Sequence, residues 1–327
     1  MEVRDNGNQS TVTWVILMGF GDLQQFQFLL FVLFLAVYIV TLLGNLILIV
    51  LVVTDQHLHT PMYFFLGNLS SLEICYSSTI VPRLLNTLVA DDKTVSLSSC
   101  LVQFFFFAFL LGAESHLLSV MSYDRYVAIC KPLHYATFMS TTICIRLSTI
   151  SWINGFIASI VLQFLIMPLT FCGPNEIDHY VCDNGPLIKL SCSDTSQVEL
   201  ATCILAFIFT IPPLSLTLAS YAYIITTILK IPSSTGRKKA FSTCSSHLIV
   251  VSSYYLSVMI VYMLPKTEDV RRIYKIMSLL YTVLPPLVNP FIYSLRNQEV
   301  KEALFRKLMI FKTVQPGPVK IWRSSQK

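Results

Sequence analysis

Charged residues are scarce in this sequence. They make up 13% of the 327 residues, while hydrophobic residues make up 54%, and the mean hydropathy is +0.65. A soluble domain carries about 25% charged residues, so the deficit indicates that lipid surrounds most of the chain. Seven membrane-spanning helices of about 20 residues each, with short loops, would use most of this length. We therefore expect no separate soluble domain.

Motifs of several other protein classes are absent from the sequence. It holds neither a Gly-x-Ser-x-Gly elbow nor a His-Glu-x-x-His metal helix, so nothing supports a membrane enzyme. No basic stripe with interleaved aromatic residues points to nucleic acid. A secondary transporter would show paired repeats with matching interruptions, and no such repeat is found. Residues 1–22 lack the pattern of a signal peptide, so the first span is expected to act as an uncleaved insertion signal.

Seven apolar segments are present, at residues 26–53, 61–88, 97–129, 142–165, 198–229, 241–264 and 274–295. Each is long enough to cross a bilayer as a helix. The sixth is the least hydrophobic, but its central hydroxyls can face other helices or bond the backbone. The pattern predicts an all-α membrane protein, a seven-transmembrane helix bundle. Residues 1–25 are predicted to form an extracellular N-terminus, 26–295 the bundle and 296–327 a cytoplasmic tail.

The distribution of basic residues predicts the orientation. With the N-terminus outside, fifteen Lys and Arg residues fall on the cytoplasmic side and six on the outer side, which matches the positive-inside rule. Asn8 begins a glycosylation sequon on the side that this topology exposes to the lumen. Residues 297–311 are predicted to form an amphipathic helix along the inner leaflet, with Val300, Leu304, Leu308 and Phe311 on one side.

Four cysteines are predicted on the oxidising side of the membrane. Cys100 lies at the outer end of the third span, and Cys172, Cys182 and Cys192 lie in the long loop after the fourth. Four cysteines allow three disulfide pairings. The competing interpretation is a zinc site that includes His179, but exported cysteines usually oxidise, so disulfides are favoured.

Two acids lie deep inside predicted spans, Glu73 in the second and Glu114 in the third. One interpretation is a protonated acid that hydrogen-bonds to its neighbours. The other is a functional site, the default expectation for an ionisable residue inside a membrane. His247 in the sixth span is open to the same choice, as a satisfied core histidine or as a proton-sensitive part of a switch.

The most informative segment is 121–130, Met-Ser-Tyr-Asp-Arg-Tyr-Val-Ala-Ile-Cys, which places an Asp-Arg pair at the end of the third span. Taken alone, this could be a boundary ion pair of little energy. A second motif, Asn289-Pro290 followed by Tyr293, lies in the seventh span, and further strings occur at 58–66 and 239–248. Together these segments resemble vertebrate olfactory receptors, a branch of the rhodopsin-like G-protein-coupled receptors. A non-olfactory rhodopsin-like receptor is the alternative.

The resemblance implies a function and a location. An olfactory receptor is not an enzyme; it sits in the plasma membrane, binds small volatile molecules within the bundle, and activates a stimulatory heterotrimeric G protein that raises cyclic AMP. It also implies a Cys100–Cys182 disulfide, which leaves Cys172–Cys192 as the second bridge. Phe107 stands where amine receptors place an ionic Asp, so the ligand is expected to be mostly neutral.

The resemblance also implies three sets of site residues. The G-protein switch comprises Asp124, Arg125, Tyr126, Tyr221, Asn289, Pro290 and Tyr293. Asn45, Glu73, Glu114 and Asn289 would converge in mid-bundle, where a sodium ion or a shared proton would relieve the repulsion of two carboxylates. The family usually carries Asp at the Glu73 position. No other cofactor is expected. The ligand pocket would be lined by Phe107, Ala108, Leu111, Leu205, Phe209, Tyr255, Val258, Met259, Tyr262, Leu279 and Thr282.

Overall fold

The computed structural model describes residues 12–20, 25–90, 93–172, 175–230, 232–263, 271–295 and 298–314. The first six spans are α1 (Gln27–Thr54), α2 (Pro61–Val89), α3 (Leu97–Cys130), α5 (Thr141–Ile166), α7 (Ser196–Leu229) and α8 (Ser234–Met263). The seventh span consists of α9 (Arg271–Thr282) and α10 (Leu284–Leu295). Among the described residues, three further α-helices lie outside the spans, α4 (Tyr135–Phe138), α6 (Asn184–Ile188) and α11 (Gln298–Val314), together with 3-10 turns at Gln56–Leu58 and Pro132–His134. The predicted seven-helix bundle is confirmed.

Apolar length separates the spans into two groups. Judged by helix length and hydropathy, five segments of the described residues could cross a membrane. They are Gln27–Thr54, Leu97–Cys130, Thr141–Ile166, Ser196–Leu229 and Tyr274–Ile292. The second and sixth spans are helices of 29 and 30 residues, so their length suffices. They are less apolar because α2 carries Glu73 and Arg83, and because α8 begins with a polar turn, leaving a shorter apolar part at His247–Tyr262.

Apolar side chains cover the outside of the bundle as well as its core. The first span buries Thr41 and Asn45, whereas Phe28 is 80% exposed and Leu29 and Leu43 also face outward. Lipid solvates outward apolar side chains, while polar groups need partners inside the protein. The outward apolar surface is therefore the expected lipid contact of a membrane bundle.

The seventh span differs from the prediction because it is broken at Val283. Pro285 and Pro286 lack the N–H groups that would continue the helical hydrogen bonds, so the chain turns before α10 begins. A third proline, Pro290, leaves a backbone carbonyl without its helical hydrogen bond. Pro290 cannot donate to the Pro286 carbonyl, and Asn45 of the first span donates to that oxygen instead, at 3.0 Å. The proline sequence thereby creates a contact between the two spans.

A small sheet covers one end of the bundle. Strand β1 (Trp14–Leu17) pairs antiparallel with β2 (Thr94–Ser96) and parallel with β3 (Glu176–Ile177), so it lies between them. Val15 and Leu17 point inward and are fully buried. We refer to this end, which also holds Cys100 and the loop after α5, as the disulfide end. Residues 12–20, which precede the first span, are thus part of the packed structure there.

The helix after the seventh span lies at the opposite end. It starts at Gln298, close to the predicted boundary, and buries Val300 and Ala303 against the bundle. Leu304 and Leu308 of the predicted apolar side are largely exposed, as residues that meet a lipid leaflet would be. The side chain of Phe311 and the sequon at Asn8 lie outside what the structure describes.

Candidate functional site

Two disulfides shape the disulfide end. Cys100 is joined to Cys182 and Cys172 to Cys192, with Cα–Cα distances of 5.5 and 5.8 Å. These are the pairs that the resemblance implied, so the four sulfur atoms serve as cross-links rather than as zinc ligands. The first bridge ties the long loop to the third span. It therefore sets the path of the residues that follow Cys182.

A cavity of about 80 Å³ lies below this loop, between the third, fourth, fifth and sixth spans. Its wall is mostly apolar. Seven of the predicted pocket residues line it, namely Phe107, Ala108, Leu111, Leu205, Phe209, Val258 and Tyr262. The wall also includes residues that the prediction missed, namely Phe104, Ser115, Ala158, Leu162, Asp183, Asn184, Thr202, Ala206, Thr210 and Tyr254.

Four predicted pocket residues do not line this cavity. The Tyr255 hydroxyl donates to the Ser115 carbonyl oxygen at 2.6 Å, and the Thr282 hydroxyl donates to the Ser278 carbonyl oxygen at 2.7 Å. Met259 and Leu279 are half-buried at other positions of the sixth and seventh spans. The cavity is displaced from the seventh span because large side chains fill the space there.

Those large side chains form a continuous aromatic contact. Phe107 stacks on Tyr76 of the second span at a centroid distance of 5.6 Å and meets Tyr281 of the seventh at 6.3 Å. Tyr180 of the loop is fully buried and lies 3.0 Å from the Thr282 hydroxyl oxygen. Phe107 therefore has one side on this aromatic contact and another on the cavity.

Two polar residues of the loop reach the cavity wall. Asp183 is 5% exposed, and its Oδ1 accepts hydrogen bonds from the Tyr262 hydroxyl at 3.1 Å and the Asn184 N–H at 2.7 Å. Asn184 is 2% exposed. The prediction missed both because it considered only the spans. Their position directly after Cys182 was a usable signal, since the implied disulfide places that loop against the third span.

The mid-bundle acids are buried together with amide side chains. The Asn289 side-chain N–H donates to Glu73 Oε1, and Glu114 is close enough to Glu73 to interact electrostatically. Asn45 donates to the Thr41 and Pro286 carbonyl oxygens, both at 3.0 Å. All four predicted residues are at most 1% exposed. The structure thus brings Glu73, Glu114 and Asn289 to one region, with Asn45 beside it.

Several oxygens of this region have no hydrogen-bond partner among the described residues. They are Glu73 Oε2, both carboxylate oxygens of Glu114, Asn45 Oδ1 and Asn289 Oδ1. Buried oxygens without donors are costly, and a cation or a proton is the complement that they lack. Oxygen ligands suit a hard cation. No group of three or more His, Cys, Asp or Glu that could hold a metal occurs in the described ranges.

The Asp-Arg pair lies at the end of the third span away from the disulfides. Asp124 Oδ2 accepts from the Arg125 guanidinium, and the Tyr135 hydroxyl donates to Asp124 Oδ1 at 2.8 Å. Asp124 is 1% exposed and Arg125 18%. Tyr135 was not predicted. It holds the second oxygen of Asp124, so the carboxylate has a partner on each side.

The remaining switch residues lie on the third, fifth and seventh spans. Tyr221 of the fifth span hydrogen-bonds and stacks on His247 of the sixth, with ring centroids 5.8 Å apart, and both are buried. Tyr126 packs against Tyr223, with ring centroids 5.7 Å apart. Asn289 and Pro290 belong to α10, whereas the Tyr293 side chain lies outside what the structure describes. His247 therefore links the fifth and sixth spans through a hydrogen bond, which satisfies one ring nitrogen.

Together, the seven spans, the internal cavity and the buried polar groups at the far end define a membrane receptor of the seven-helix class. The sequence matches the family model described as "Olfactory receptor" over residues 34–311. It is 46% identical over 295 residues to human olfactory receptor 2AP1 (90% of this chain, 96% of that protein). It is 44% identical over 315 residues to human olfactory receptor 11A1 (96% of this chain, 99% of that protein). The chain belongs to the olfactory receptor family. It is a multi-pass protein of the plasma membrane and not an enzyme.

Proposed function

We propose that this receptor binds small, mostly neutral volatile molecules in the cavity between its third, fourth, fifth and sixth spans. The observation that carries the proposal is the largely apolar wall of a cavity in a member of the olfactory receptor family. Apolar walls with a few polar groups are typical of small-molecule sites. Pockets for drug-sized ligands measure roughly 300–1,000 Å³, so a cavity of about 80 Å³ favours a compact ligand.

The proposal includes an orientation, with the N-terminus outside the cell and the C-terminus in the cytoplasm. Basic residues support it through the positive-inside rule. Disulfides form and persist on the oxidising side of the membrane, so the end that carries Cys100–Cys182 faces outward. A ligand then enters from the outer side, while Arg125 lies next to the cytoplasm.

The proposed signalling step is the release of Arg125. In this structure Asp124 and Tyr135 hold the inner end of the third span in a closed network. Ligand binding would shift the fifth and sixth spans, which share the Tyr221–His247 contact. Arg125 would then become available to a stimulatory heterotrimeric G protein, whose activation raises cyclic AMP. A ligand drives such a change only by binding the active state more tightly.

A sodium ion or a shared proton is proposed as a second control, held by Glu73 and Glu114. The unpaired oxygens of these residues and of Asn45 and Asn289 fit either species. Bound in mid-bundle, a sodium ion would offset one of the two negative charges and reduce the repulsion between the carboxylates. Its loss would leave two carboxylates that cannot both remain ionised cheaply, which links its release to rearrangement of the bundle.

The test is odorant-evoked cyclic AMP in a heterologous cell, with an alanine-to-phenylalanine pair on the fifth span. Ala206 lines the cavity, whereas Ala219 faces outward on the same helix. We expect Ala206→Phe to lower the response to every active odorant and Ala219→Phe to leave it unchanged, at equal amounts of receptor on the cell surface. An unaltered response in Ala206→Phe would contradict the proposed site. Solute flux into vesicles without cyclic AMP would indicate a transporter instead.

A further inference from the structure

We propose that the cavity selects ligands that carry a hydroxyl group, with Asn184 Oδ1 as the hydrogen-bond acceptor. The inference rests on the proposed function, because it assigns a ligand class to the same cavity. Its basis is the buried amide oxygen of a wall residue, Asn184, which has no hydrogen-bond donor among the described residues.

Three hydroxyl groups of the wall already donate to protein oxygens. Tyr254 donates to the Leu111 carbonyl oxygen at 2.7 Å, and Ser115 donates to the Phe209 carbonyl oxygen. Tyr262 donates to Asp183 Oδ1 at 3.1 Å. Each of these hydrogens is directed at a protein oxygen. A ligand carbonyl would have to break one of these three bonds to use its hydrogen.

The orientation of the Asn184 amide follows from its neighbour. Thr202 has a single hydroxyl hydrogen, which it donates to the Val198 carbonyl oxygen at 2.7 Å. Its oxygen can therefore only accept from Asn184, at 2.5 Å, so the atom facing it is the amide nitrogen Nδ2. The amide oxygen is thereby directed away from Thr202.

This amide oxygen is the unsatisfied polar atom of the wall. Asn184 Oδ1 is buried and has no hydrogen-bond partner among the described residues. A buried acceptor left without a donor costs free energy, and a ligand that supplies the donor removes that cost. Asp183 adds acceptor character beside it, because a carboxylate has several lone pairs and Tyr262 and Asn184 both donate to Oδ1.

The chemical consequence is a preference among molecules of equal size. An alcohol donates its hydroxyl hydrogen to Asn184 Oδ1 and leaves its carbon skeleton on Phe107, Leu111 and Leu205. The matched aldehyde or ketone and the matched ether carry only acceptors, so none of them can donate to Asn184 Oδ1. A site built to bond a polar group rejects an analogue that lacks it more strongly than it rejects a change in apolar size.

The experiment uses the full-length receptor at the cell surface with cyclic AMP as the readout. The probes are alcohols of straight, branched, cyclic and aromatic skeletons, each with its aldehyde or ketone and with a methyl ether of equal heavy-atom count, such as hexanol, hexanal and methyl pentyl ether. Matched alkylamines complete the panel. We expect alcohols to be the most potent members of their sets.

Variants at Asn184 distinguish the loss of the acceptor oxygen from a general disturbance of the loop. Asn184→Leu should raise the half-maximal concentration for alcohols by roughly threefold to tenfold, the range of one hydrogen bond, and leave that for ethers unchanged. Asn184→Asp keeps an acceptor oxygen and should keep the preference for alcohols. Asn175→Leu is the matched control, because Asn175 is exposed in the same loop and does not line the cavity.

The outcomes distinguish this inference from the proposed function. Aldehydes, ketones or ethers that act as well as alcohols would overturn the hydroxyl preference and leave the receptor function intact. Activation by alkylamines alone would also overturn it and would assign the cavity acid Asp183 as a counter-ion. A receptor that is present at the surface and silent to every probe would overturn both.

Discussion

Asp55 and Arg306 join two parts of the protein that lie 251 residues apart in sequence. Asp55 Oδ2 accepts from Arg306 Nε at 3.1 Å and from a terminal guanidinium nitrogen at 2.9 Å. The other oxygen of Asp55 accepts the His57 N–H at 3.0 Å and so caps the turn after the first span. The helix α11 is thereby fastened to the loop between the first two spans.

The ion pair should contribute measurably to stability. Asp55 is 6% exposed and Arg306 39%, so the pair is partly screened, and a coupling of about 1 kcal/mol is expected from a double-mutant cycle of Asp55→Asn and Arg306→Gln. The measurement is the unfolding temperature of purified receptor in detergent. Glu302 serves as control, because it is 59% exposed and 3.9 Å from Arg306. If Glu302→Gln lowered the unfolding temperature as much as Asp55→Asn, the stability could not be assigned to the Asp55–Arg306 pair.

The same pair should resist mild acid. Burial raises the pKa of Asp55, but the hydrogen bonds from Arg306 and His57 outweigh burial and lower it to about 2. A carboxylate whose folded pKa is depressed contributes stability above its unfolded pKa of about 3.9, and that stability is lost as pH falls toward the folded value. Acidification from pH 7 to pH 5 should therefore leave the Asp55–Arg306 contribution unchanged.

The third and fourth spans contact each other so closely at Gly155 that a larger residue should disturb their packing. A Cβ atom at Gly155 would lie 2.4 Å from the Phe109 carbonyl oxygen and 2.6 Å from the Ala113 backbone nitrogen. Backbone atoms cannot move aside as a flexible side chain can. Gly155→Ala should separate the two helices and lower the amount of receptor at the cell surface severalfold.

A glycine in the second span provides the matched control. A Cβ at Gly67 would meet only Val52 Cγ1, at 3.6 Å, an ordinary van der Waals distance. Gly67→Ala should be neutral or slightly stabilising, because alanine favours helix. Equal surface amounts of the two variants, compared by antibody labelling of intact cells, would refute the close-contact argument.

Much of the fold follows from apolar length, and the exceptions have physical causes. Seven long apolar runs predicted the bundle because a helix is the only way for a single apolar segment to satisfy its backbone in lipid. The break at Val283 required the combined effect of neighbouring prolines. The sheet of β1, β2 and β3 was not predicted, since strands of two to four residues drawn from distant segments carry no periodic signal.

The site was predictable where it depended on helix faces and unpredictable where it depended on a loop. Phe107 and Leu205 were placed correctly on the cavity wall because the resemblance supplied the helix faces. Thr282 was displaced from it because Tyr180 of the loop lies against its hydroxyl. Asp183 and Asn184 were missed because the prediction considered only the spans, although the disulfide at Cys182 places that loop against the third span.

The buried His179 should make the disulfide end sensitive to acid. Burial is the main cause that lowers the pKa of this loop histidine to about 4, and Lys275 acts in the same direction against the opposing charges of Asp183 and Asp178. Its Nδ1 accepts the Val181 N–H at 3.2 Å, which requires the neutral ring. A histidine whose folded pKa is depressed stabilises fully above its unfolded pKa of about 6.5.

That stability is lost as pH falls from about 6.5 toward about 4, and about 2 kcal/mol of it should be gone by pH 5. The measurement is the unfolding temperature of the receptor in lipid nanodiscs between pH 7.5 and pH 5. His179→Gln, which cannot titrate, should flatten the profile. His134→Gln is the control, because His134 is exposed at the opposite end. If the unfolding temperature fell with pH equally in wild type and in His179→Gln, His179 would not be the cause of the acid sensitivity.

The acids in mid-bundle give the last prediction, which concerns signalling rather than stability. Replacing sodium with an organic cation in permeabilised cells or membranes should change odorant-evoked cyclic AMP production if an ion occupies the site. Lowering the pH should change it if a shared proton does. Glu73→Gln keeps an oxygen to accept from Asn289 but removes the charge, and Glu114→Gln removes the other. Each variant should abolish a dependence of roughly fivefold or more, the lower end of allosteric coupling.

A variant of a surface acid serves as the control, because it removes one negative charge without touching the mid-bundle site. Glu199 is exposed at the start of the fifth span, and its Oε1 accepts from Thr195 at 2.8 Å. Glu199→Gln should retain the full dependence on sodium or pH, because the residue is remote from the mid-bundle oxygens in the fold. If the glutamine variants lose only the sodium response, the carboxylates bind an ion. If they lose only the pH response, the carboxylates share a proton. If both glutamine variants keep both responses, the two carboxylates are held neutral by their neighbours and control nothing.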